Sequence, residues 1–383
     1  MKFLDLFAGI GGFRLGMESA GHECVGFCEI DKFARASYKA IHDTKGEIEL
    51  HDITAVSDEF IRGIGRVDII CGGFPCQAFS IAGNRRGFED TRGTLFFEIA
   101  RFASILRPKY LLLENVKGLL NHDGGATFET ILGALDELGY NVEWQILNSK
   151  DFGVPQNRER VFIIGHLRGG SGRKVFPLSG DGAAITCEQP KINKVGNIRK
   201  KGKSQSGDVV SIDSLAPTLC STTTQKDPLK VLIENEIKQF GVLQPNYNQS
   251  GVVYEIDGIS PTIRAYQGGN LEPKIRVKEA TSQGYAEAQI GDSVNLSHPN
   301  SKTRRGRVGK QIANTLLTGE SQGVVEPDFR IRKLTPKECW RLQGFPDWAF
   351  DKAQKVNSNS QLYKQAGNSV TVNVIAAIAK ELK

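Results

Sequence analysis

Through the first 166 residues short apolar runs alternate with helical patterns, and that alternation decides what the chain can fold into. "KFLDLF", "ECVGFCEID", "VDIIC", "YLLLENV", "VEWQILN" and "RVFIIGH" read as strands. Between them lie helical patterns, among them a helix through Met17, "TLFFEIARFASIL" and "TFETILGALDEL". Strands that alternate with helices require crossover connections, which makes a parallel-rich α/β sheet with helices on both faces. In such sheets ligands bind outside the carboxyl ends of the strands. Each unusual motif of this half follows directly on an apolar run, so it belongs to that edge.

After about Leu178 the texture changes. Long helical patterns vanish and Gly, Ser, Thr, Asn and Lys increase, as in a loop-rich β domain. A weak repeat runs through it. "SLAPTL", "GISPTI" and "QIANTL" end at Leu219, Ile263 and Leu316, and each Thr precedes an acidic-Pro pair by 10, 11 and 12 residues. An apolar and basic run follows each pair. Three strand–loop–strand units with a shared frame and variable polar loops suit a reader of base edges. Charge agrees: residues 168–333 hold 24 Lys and Arg against 16 Asp and Glu, a surplus of +8 in a chain of net +6. A basic insert in a near-neutral scaffold suggests a polyanionic partner. At 383 residues, two or three domains are expected. Helical patterning returns at "KLTPKECWRL", where Thr335, Pro336 and Glu338 form an N-cap, N1 proline and capping box. "SVTVNVIAAIAKEL" reads as a final amphipathic helix.

No run approaches the roughly 18 apolar residues of a membrane-spanning helix. The start "MKFLDLFAGIGG" does not read as a signal peptide. Seven scattered cysteines form no disulfide framework, which favours a reducing, intracellular setting. No metal-ligand spacing stands out.

"DLFAGIGGFRLG" follows the first strand and opens a helix. Gly9, Gly11 and Gly12 permit close backbone approach, and free N–H groups at a helix start can meet an anion. Arg14 stands where the dinucleotide fingerprint has its third glycine, which disfavours a nicotinamide oxidoreductase. Glu29 ends the second strand, where a carboxylate can take both hydroxyls of a ribose. Asp52 can accept from an adenine amine.

"VDIICGGFPCQAFS" leaves Cys71 inside an apolar run, as inert packing, and puts Cys76 beyond the Gly-Gly-Phe-Pro bend. A thiol needs local help to act as a nucleophile, and Gln77 and Ser80 are the polar groups nearest in sequence. "LLLENV" brings Glu114 and Asn115 to the end of the next strand. "PQNRERVF" brings Gln156, Arg158 and Arg160 ahead of a later one, the two arginines sharing a face. Nucleophile, carboxylic acid and anion clamp at one sheet edge make a constellation for covalent catalysis.

These segments, with "RKLTPKECWRLQGFPD" and "QAGNSV", resemble the ordered motifs of the bacterial restriction-modification type of DNA cytosine-5 methyltransferases. The resemblance spans residues 1–166 and 330–375. It implies a Rossmann-like class I methyltransferase sheet with helices on both faces, plus a smaller loop-rich β target-recognition domain. Residues 1–178 with 352–383 would form a discontinuous catalytic and S-adenosylmethionine-binding domain, and 179–351 the recognition domain. The implied activity is sequence-specific methylation of cytosine C5 in double-stranded DNA. Cys76 would attack C6 of a flipped cytosine, Glu114 protonate N3, and Arg160, with Arg158 beside it, bind the carbonyl.

Phe7, Gly9, Gly11, Glu29, Ile30, Asp52, Ile53, Pro75, Leu95, Asn368 and Val370 would line the cofactor. Ile30 departs from the aromatic common there. Gln77, Ser80, Arg304, Arg305, Thr315 and Leu316 would contact DNA, with Arg307 also a candidate phosphate contact. A cytoplasmic monomer is implied, associated with the nucleoid while on DNA, with a possible cognate restriction endonuclease acting on the same site. Rival readings are a cytosine-5 methyltransferase of transfer RNA, whose recognition region is usually compact, and a non-catalytic DNA-binding relative, against which the intact Cys76, Glu114, Arg158 and Arg160 set argues.

Overall fold

The computed structural model describes residues 1–75, 95–170, 173–179, 275–298, 301–319, 322–327 and 330–383, and the backbone of four short strands between 194 and 254. Seven strands build the main sheet: β1 (Lys2–Leu6), β2 (Glu23–Cys28), β3 (Ile48–Leu50), β4 (Ile69–Gly73), β5 (Tyr110–Val116), β6 (Tyr140–Asn148) and β7 (Glu159–Leu167). Their order is β3-β2-β1-β4-β5-β7-β6. The first five run parallel, while β7 pairs antiparallel with both β5 and β6. β6 and β7 are joined by a short 3₁₀ turn rather than a crossover helix, and so short a link permits only an antiparallel pair. β3 escaped the sequence reading, because three residues carry too little pattern.

Side-chain alternation explains why both faces are covered. Leu4, Leu6, Leu111, Leu113, Val161 and Ile163 enter one buried cluster. Their neighbours Phe3, Tyr110, Leu112, Phe162 and Ile164 enter another, with Cys71, which is fully buried with its thiol pKa pushed well up by desolvation. A strand buried on both sides reads as an unbroken apolar run. α4 (Leu95–Leu106) and α5 (Ala126–Glu137) cover the first face. α1 (Gly12–Ser19) and the last helix, Val372–Glu381, cover the second. α2 (Lys32–Ile41) and α3 (Asp58–Gly63) complete this half.

The chain returns as expected at α6 (Pro336–Leu342), where Thr335 accepts from Glu338 N–H and the glutamate closes a full capping box. α7 (Asp347–Ala353), α8 (Asn359–Asn368) and α9 (Val372–Glu381) follow. The expected boundary between 351 and 352 falls inside α7. Cys339, Trp340, Phe345, Ala349, Phe350 and Ala353 share one core with Ile10 and Ile41 of the first half. Among the described residues of the insert, a hairpin (Ile275–Lys278 with Tyr285–Ala288) lies with a four-stranded antiparallel sheet of Val308–Gly309, Ser293–Asn295, Gln322–Val325 and Ile331–Lys333. Its core is small: Val277, Ala288, Val294 and Val325. This is the expected smaller β domain. Among the described residues no helix is long and apolar enough to cross a membrane.

Candidate active site

The parallel strands deliver their ends to one edge. After β1 the chain turns at Phe7 and Gly9, both at φ 56°, and at Gly11, φ 85°. Phe7 is a non-glycine residue held in the left-handed region, a conformation that persists only where surroundings enforce it. A side chain on Gly11 would collide with the His42 ring. After β2 comes Glu29, whose Oε2 accepts from Gly9 N–H at 2.8 Å and whose Oε1 accepts from Asp31 N–H at 2.7 Å. Burial raises its pKa, against the lowering effect of those two bonds. The β1 turn and the β2 carboxylate are thus one unit. Beside it Ile30 is 68% exposed, a bare aliphatic face at the edge. Asp52 caps the turn Ile53–Ala55, with Oδ1 accepting from Thr54 N–H and Oγ1; these bonds lower its pKa. Ile53 is buried and Leu95, which opens α4, is half-buried.

β4 ends at Gly73, opposite Glu114 in register, and a Cβ at Gly73 would stand 3.2 Å from Glu114 Oε2. The next residues, Phe74 and Pro75, are tied down by Asn115, whose Nδ2 donates to Phe74 O at 2.9 Å. Cys76, Gln77 and Ser80 lie outside the described residues. The segment entering Cys76 therefore starts from a backbone pinned to the end of β5.

Glu114 pairs with Arg160, Nε to Oε1, at 3.0 Å. The two side chains are only 11% and 16% exposed. Desolvation raises the Glu114 pKa above the ordinary glutamate value, and Arg160 and then Arg158 oppose it. Burial thus favours the protonated form of this carboxyl, the form that can give up a proton. Antiparallel register sets the meeting, since Glu114 lies opposite Phe162 and Val116 opposite Arg160.

Arg158 behaves differently from its expected place beside Arg160 in a clamp. It is 3% exposed and donates to Leu316 O at 3.4 Å, Gly367 O at 3.2 Å and Ser369 O at 2.8 Å. Burial and the neighbouring Arg160 lower its pKa to about 9. Arg158 thus braces chain segments through backbone carbonyls while lying close enough to Glu114 and Arg160 to act on both.

Two further expectations change. Leu316 is 4% exposed, in the core with Trp340, and its N–H donates to Gln156 Oε1, so it has no face for DNA. Arg307 is buried, donating to Asn295 O and Lys278 O, so it supports the β domain rather than meeting phosphate. Thr315 Oγ1 donates to Asn157 O. Arg304 contacts the His298 ring, and the exposed Arg305 donates to Ala280 O. The other two repeat copies, Thr218-Leu219 and Thr262-Ile263, lie outside the described residues. Asn368 is exposed at the end of α8, and buried Val370 packs toward Gly12 and Gly73.

Sequence reasoning missed a polar column behind Arg158. Its carbonyl accepts from Ser149 N–H and Oγ. Ser149 Oγ meets Thr371 Oγ1, which donates to Gln343 Oε1. These residues are more than 190 positions apart at the extremes and share no local spacing, so no pattern could signal them. Asp5, fully buried on β1 with its pKa raised well up by burial, carried one signal: an acid inside an apolar strand.

The family model for C-5 cytosine-specific DNA methylases matches residues 1–383. An orphan methyltransferase of Bacillus phage SPR is 35% identical, with 100% of this chain and 97% of the relative covered. The type II methyltransferases M.HhaI of Haemophilus parahaemolyticus and M.HpaII of Haemophilus parainfluenzae are 35% and 38% identical, covering 99% of this chain and 93% and 88% of theirs. Among solved structures, a DNMT2 of Spodoptera frugiperda matches at TM-score 0.52 and 18% identity, covering 99% of this chain and 98% of that one. Fold, edge geometry and these relatives agree: the chain belongs to the C-5 cytosine-specific DNA methylases, enzymes that methylate cytosine at C5 in DNA, and is similar to the bacterial restriction-modification type.

Proposed function

We propose that the chain methylates one cytosine within a specific sequence of double-stranded DNA, using S-adenosylmethionine, a flipped base and a covalent bond from Cys76 to C6. The observation that carries this reading is the buried Glu114–Arg160 pair at the end of β5, with the Glu114 pKa raised. It lies beside the Phe74-Pro75 turn that leads into Cys76.

The residues present fit the cofactor. Glu29 is a partly buried carboxylate at the end of β2, Ile30 offers an exposed apolar face, and Asp52 leaves Oδ2 open. Phe7, Gly9, Gly11, Ile53, Pro75, Leu95, Asn368 and Val370 would line the same site. Glu29 would hold the ribose, Asp52 and Ile53 the adenine with the Ile30 face packed on it, and Asn368 and Val370 the methionine end. When bound, S-adenosylmethionine supplies an electrophilic methyl group on a sulfonium.

Cytosine C5 is a poor nucleophile until a thiolate adds at C6. The Cys76 thiolate would add to C6 while Glu114 gives a proton to N3, so the C5–C6 double bond opens and C5 becomes nucleophilic. Arg160 would donate to the base carbonyl and hold the ring in plane. C5 would then take the methyl group as the S–CH3 bond breaks and the sulfonium becomes a thioether; a base acting through water would remove the C5 proton, Cys76 would leave as thiolate by elimination, and N3 would return its proton to Glu114. General-acid help is worth roughly 10²–10⁴-fold. Flipping costs a few kcal/mol, offset by DNA contacts, to which Arg304, Arg305, Thr315, Gln77 and Ser80 would contribute. The match to DNA methylases along the whole chain favours DNA over transfer RNA. A monomer that shares its site with a separate endonuclease completes the reading.

Labelled S-adenosylmethionine, duplex DNA and Cys76→Ala test it. The variant should bind DNA and transfer no methyl, and DNA carrying 5-fluorocytosine should trap wild type as an adduct. Methyl transfer by Cys76→Ala, or no adduct with cofactor present, refutes covalent catalysis. Bisulfite sequencing of host DNA identifies the modified base and its context.

A further inference from the structure

The segment 155–158 is bonded to the recognition lobe through both backbone and side-chain groups. Ala313 N–H donates to Pro155 O and Asn157 N–H donates to Ala313 O, each at 2.8 Å. Thr315 Oγ1 donates to Asn157 O at 2.8 Å. Gln156, fully buried, is at the centre. Its Oε1 accepts from Leu316 N–H at 3.0 Å, and its Nε2 donates to Leu342 O, at the end of α6, at 2.8 Å. Leu316 O then accepts from Arg158. Both backbone groups of Leu316 are thus held by two residues of one segment, and Arg160 follows two residues later.

We infer that Gln156 is a positioning residue: its amide seats the 313–316 turn of the recognition lobe against the segment that aims Arg160 at Glu114, so that engagement of DNA by that lobe sets the catalytic pair. The inference rests on the methyltransferase reading above. The physical reason is geometric. An amide that accepts from one segment and donates to another fixes both at hydrogen-bond distance, and neither partner finds water in a site that is 0% exposed. No aliphatic residue can do this.

Gln145 provides a control with the same bonds in a half-buried site. It also uses both ends of its amide, donating to Leu178 O and accepting from Leu178 N–H, each at 2.9 Å, but on β6, at the far edge of the sheet. Gln156→Leu and Gln145→Leu therefore delete the same pair of bonds at two places. Single-turnover methyl transfer to duplex DNA should fall roughly 10–100-fold in Gln156→Leu, the scale a misplacement on the order of 1 Å produces. It should stay near wild type in Gln145→Leu, at matched thermal stability. Gln156→Glu keeps the acceptor for Leu316 N–H but sets an oxygen against Leu342 O, so its rate should fall between wild type and Gln156→Leu; it also decides the matter if Gln156→Leu does not fold.

Hydrogen exchange read by mass spectrometry needs no activity. Gln156→Leu or Gln156→Glu should loosen the amides of 313–316 and of 157–160 together, in proportion to its loss of rate. Equal slowing by both leucine variants, an unchanged rate in Gln156→Leu, or unchanged exchange at 313–316 overturns the inference. A wild type that transfers no methyl to DNA overturns the functional reading instead, and the exchange result still judges the junction.

Discussion

Replacing Arg160 by methionine keeps most of the stem volume and removes the charge that faces Glu114. Breaking a buried ion pair typically costs about 3–5 kcal/mol because a charge is left without a partner. Glu114 has a cheaper way out, which is to bind a proton. An exposed glutamate titrates near ~4.3, so keeping it protonated at pH 7 costs at most roughly 3.7 kcal/mol, at 1.36 kcal/mol per unit. Protonation therefore caps the penalty. At pH 5 the same ceiling is about 1 kcal/mol. The sign follows from linkage. Burial already places the folded pKa of Glu114 above its unfolded value, so the native state holds an extra proton between the two, and stability falls as pH rises through that window. Arg160 opposes the rise; removing it extends the window upward. Arg160→Met should thus be destabilised more at pH 7 than at pH 5, by up to roughly 2.7 kcal/mol. Urea unfolding of wild type and variant at both pH values, followed by tryptophan fluorescence, measures the difference. A penalty that is equal at the two pH values, or larger at pH 5, would refute the claim that the carboxyl is desolvated and held down by Arg160.

Two other substitutions test the frame around the site. At Gly16 on α1 a methyl group would stand 2.6 Å from Ile375 Cβ and 2.9 Å from Ala376 N on α9, so Gly16→Ala should lose about 1–3 kcal/mol despite the better helix propensity of alanine; a higher melting temperature would show that the α1–α9 contact yields. Glu29→Ala frees two N–H groups of the β1 and β2 turns, and calorimetry should show S-adenosylmethionine binding weakened about 10–100-fold, while an unchanged affinity counts against Glu29 as a cofactor residue.

What could be read from the chain depended on how local the cause was. β1, β2, β4, β5 and β7 were legible because strands buried on both sides must be apolar throughout, and Leu4 and Phe3 alternate between two cores for that reason. The start of α6 was legible to the residue, since a capping box is written within Thr335, Pro336 and Glu338. The core shared between the two ends of the chain was not. Trp340 and Phe350 pack with Ile10 and Ile41, some 300 residues away, and no local composition marks a core shared at that distance.

Arg158 and Arg160 show the same limit at the site. An i, i+2 pair on one extended strand shares a face, and on that ground alone both arginines belong in one clamp. But Arg158 stands just before β7, where no sheet partner constrains it, and Arg160 stands inside β7 opposite Val116. The ladder turns Arg160 toward Glu114. Arg158 instead meets the carbonyls of Leu316, Gly367 and Ser369, brought there by two segments that return from the far end of the chain. Its charge is tolerated in a 3% exposed site because those three dipoles replace water, although its pKa still falls. The two arginines therefore have separable consequences. Loss of Arg160 acts on one carboxyl. Loss of Arg158 leaves three carbonyls without a donor, and with them the seat that the recognition lobe and the Asn368–Val370 turn share.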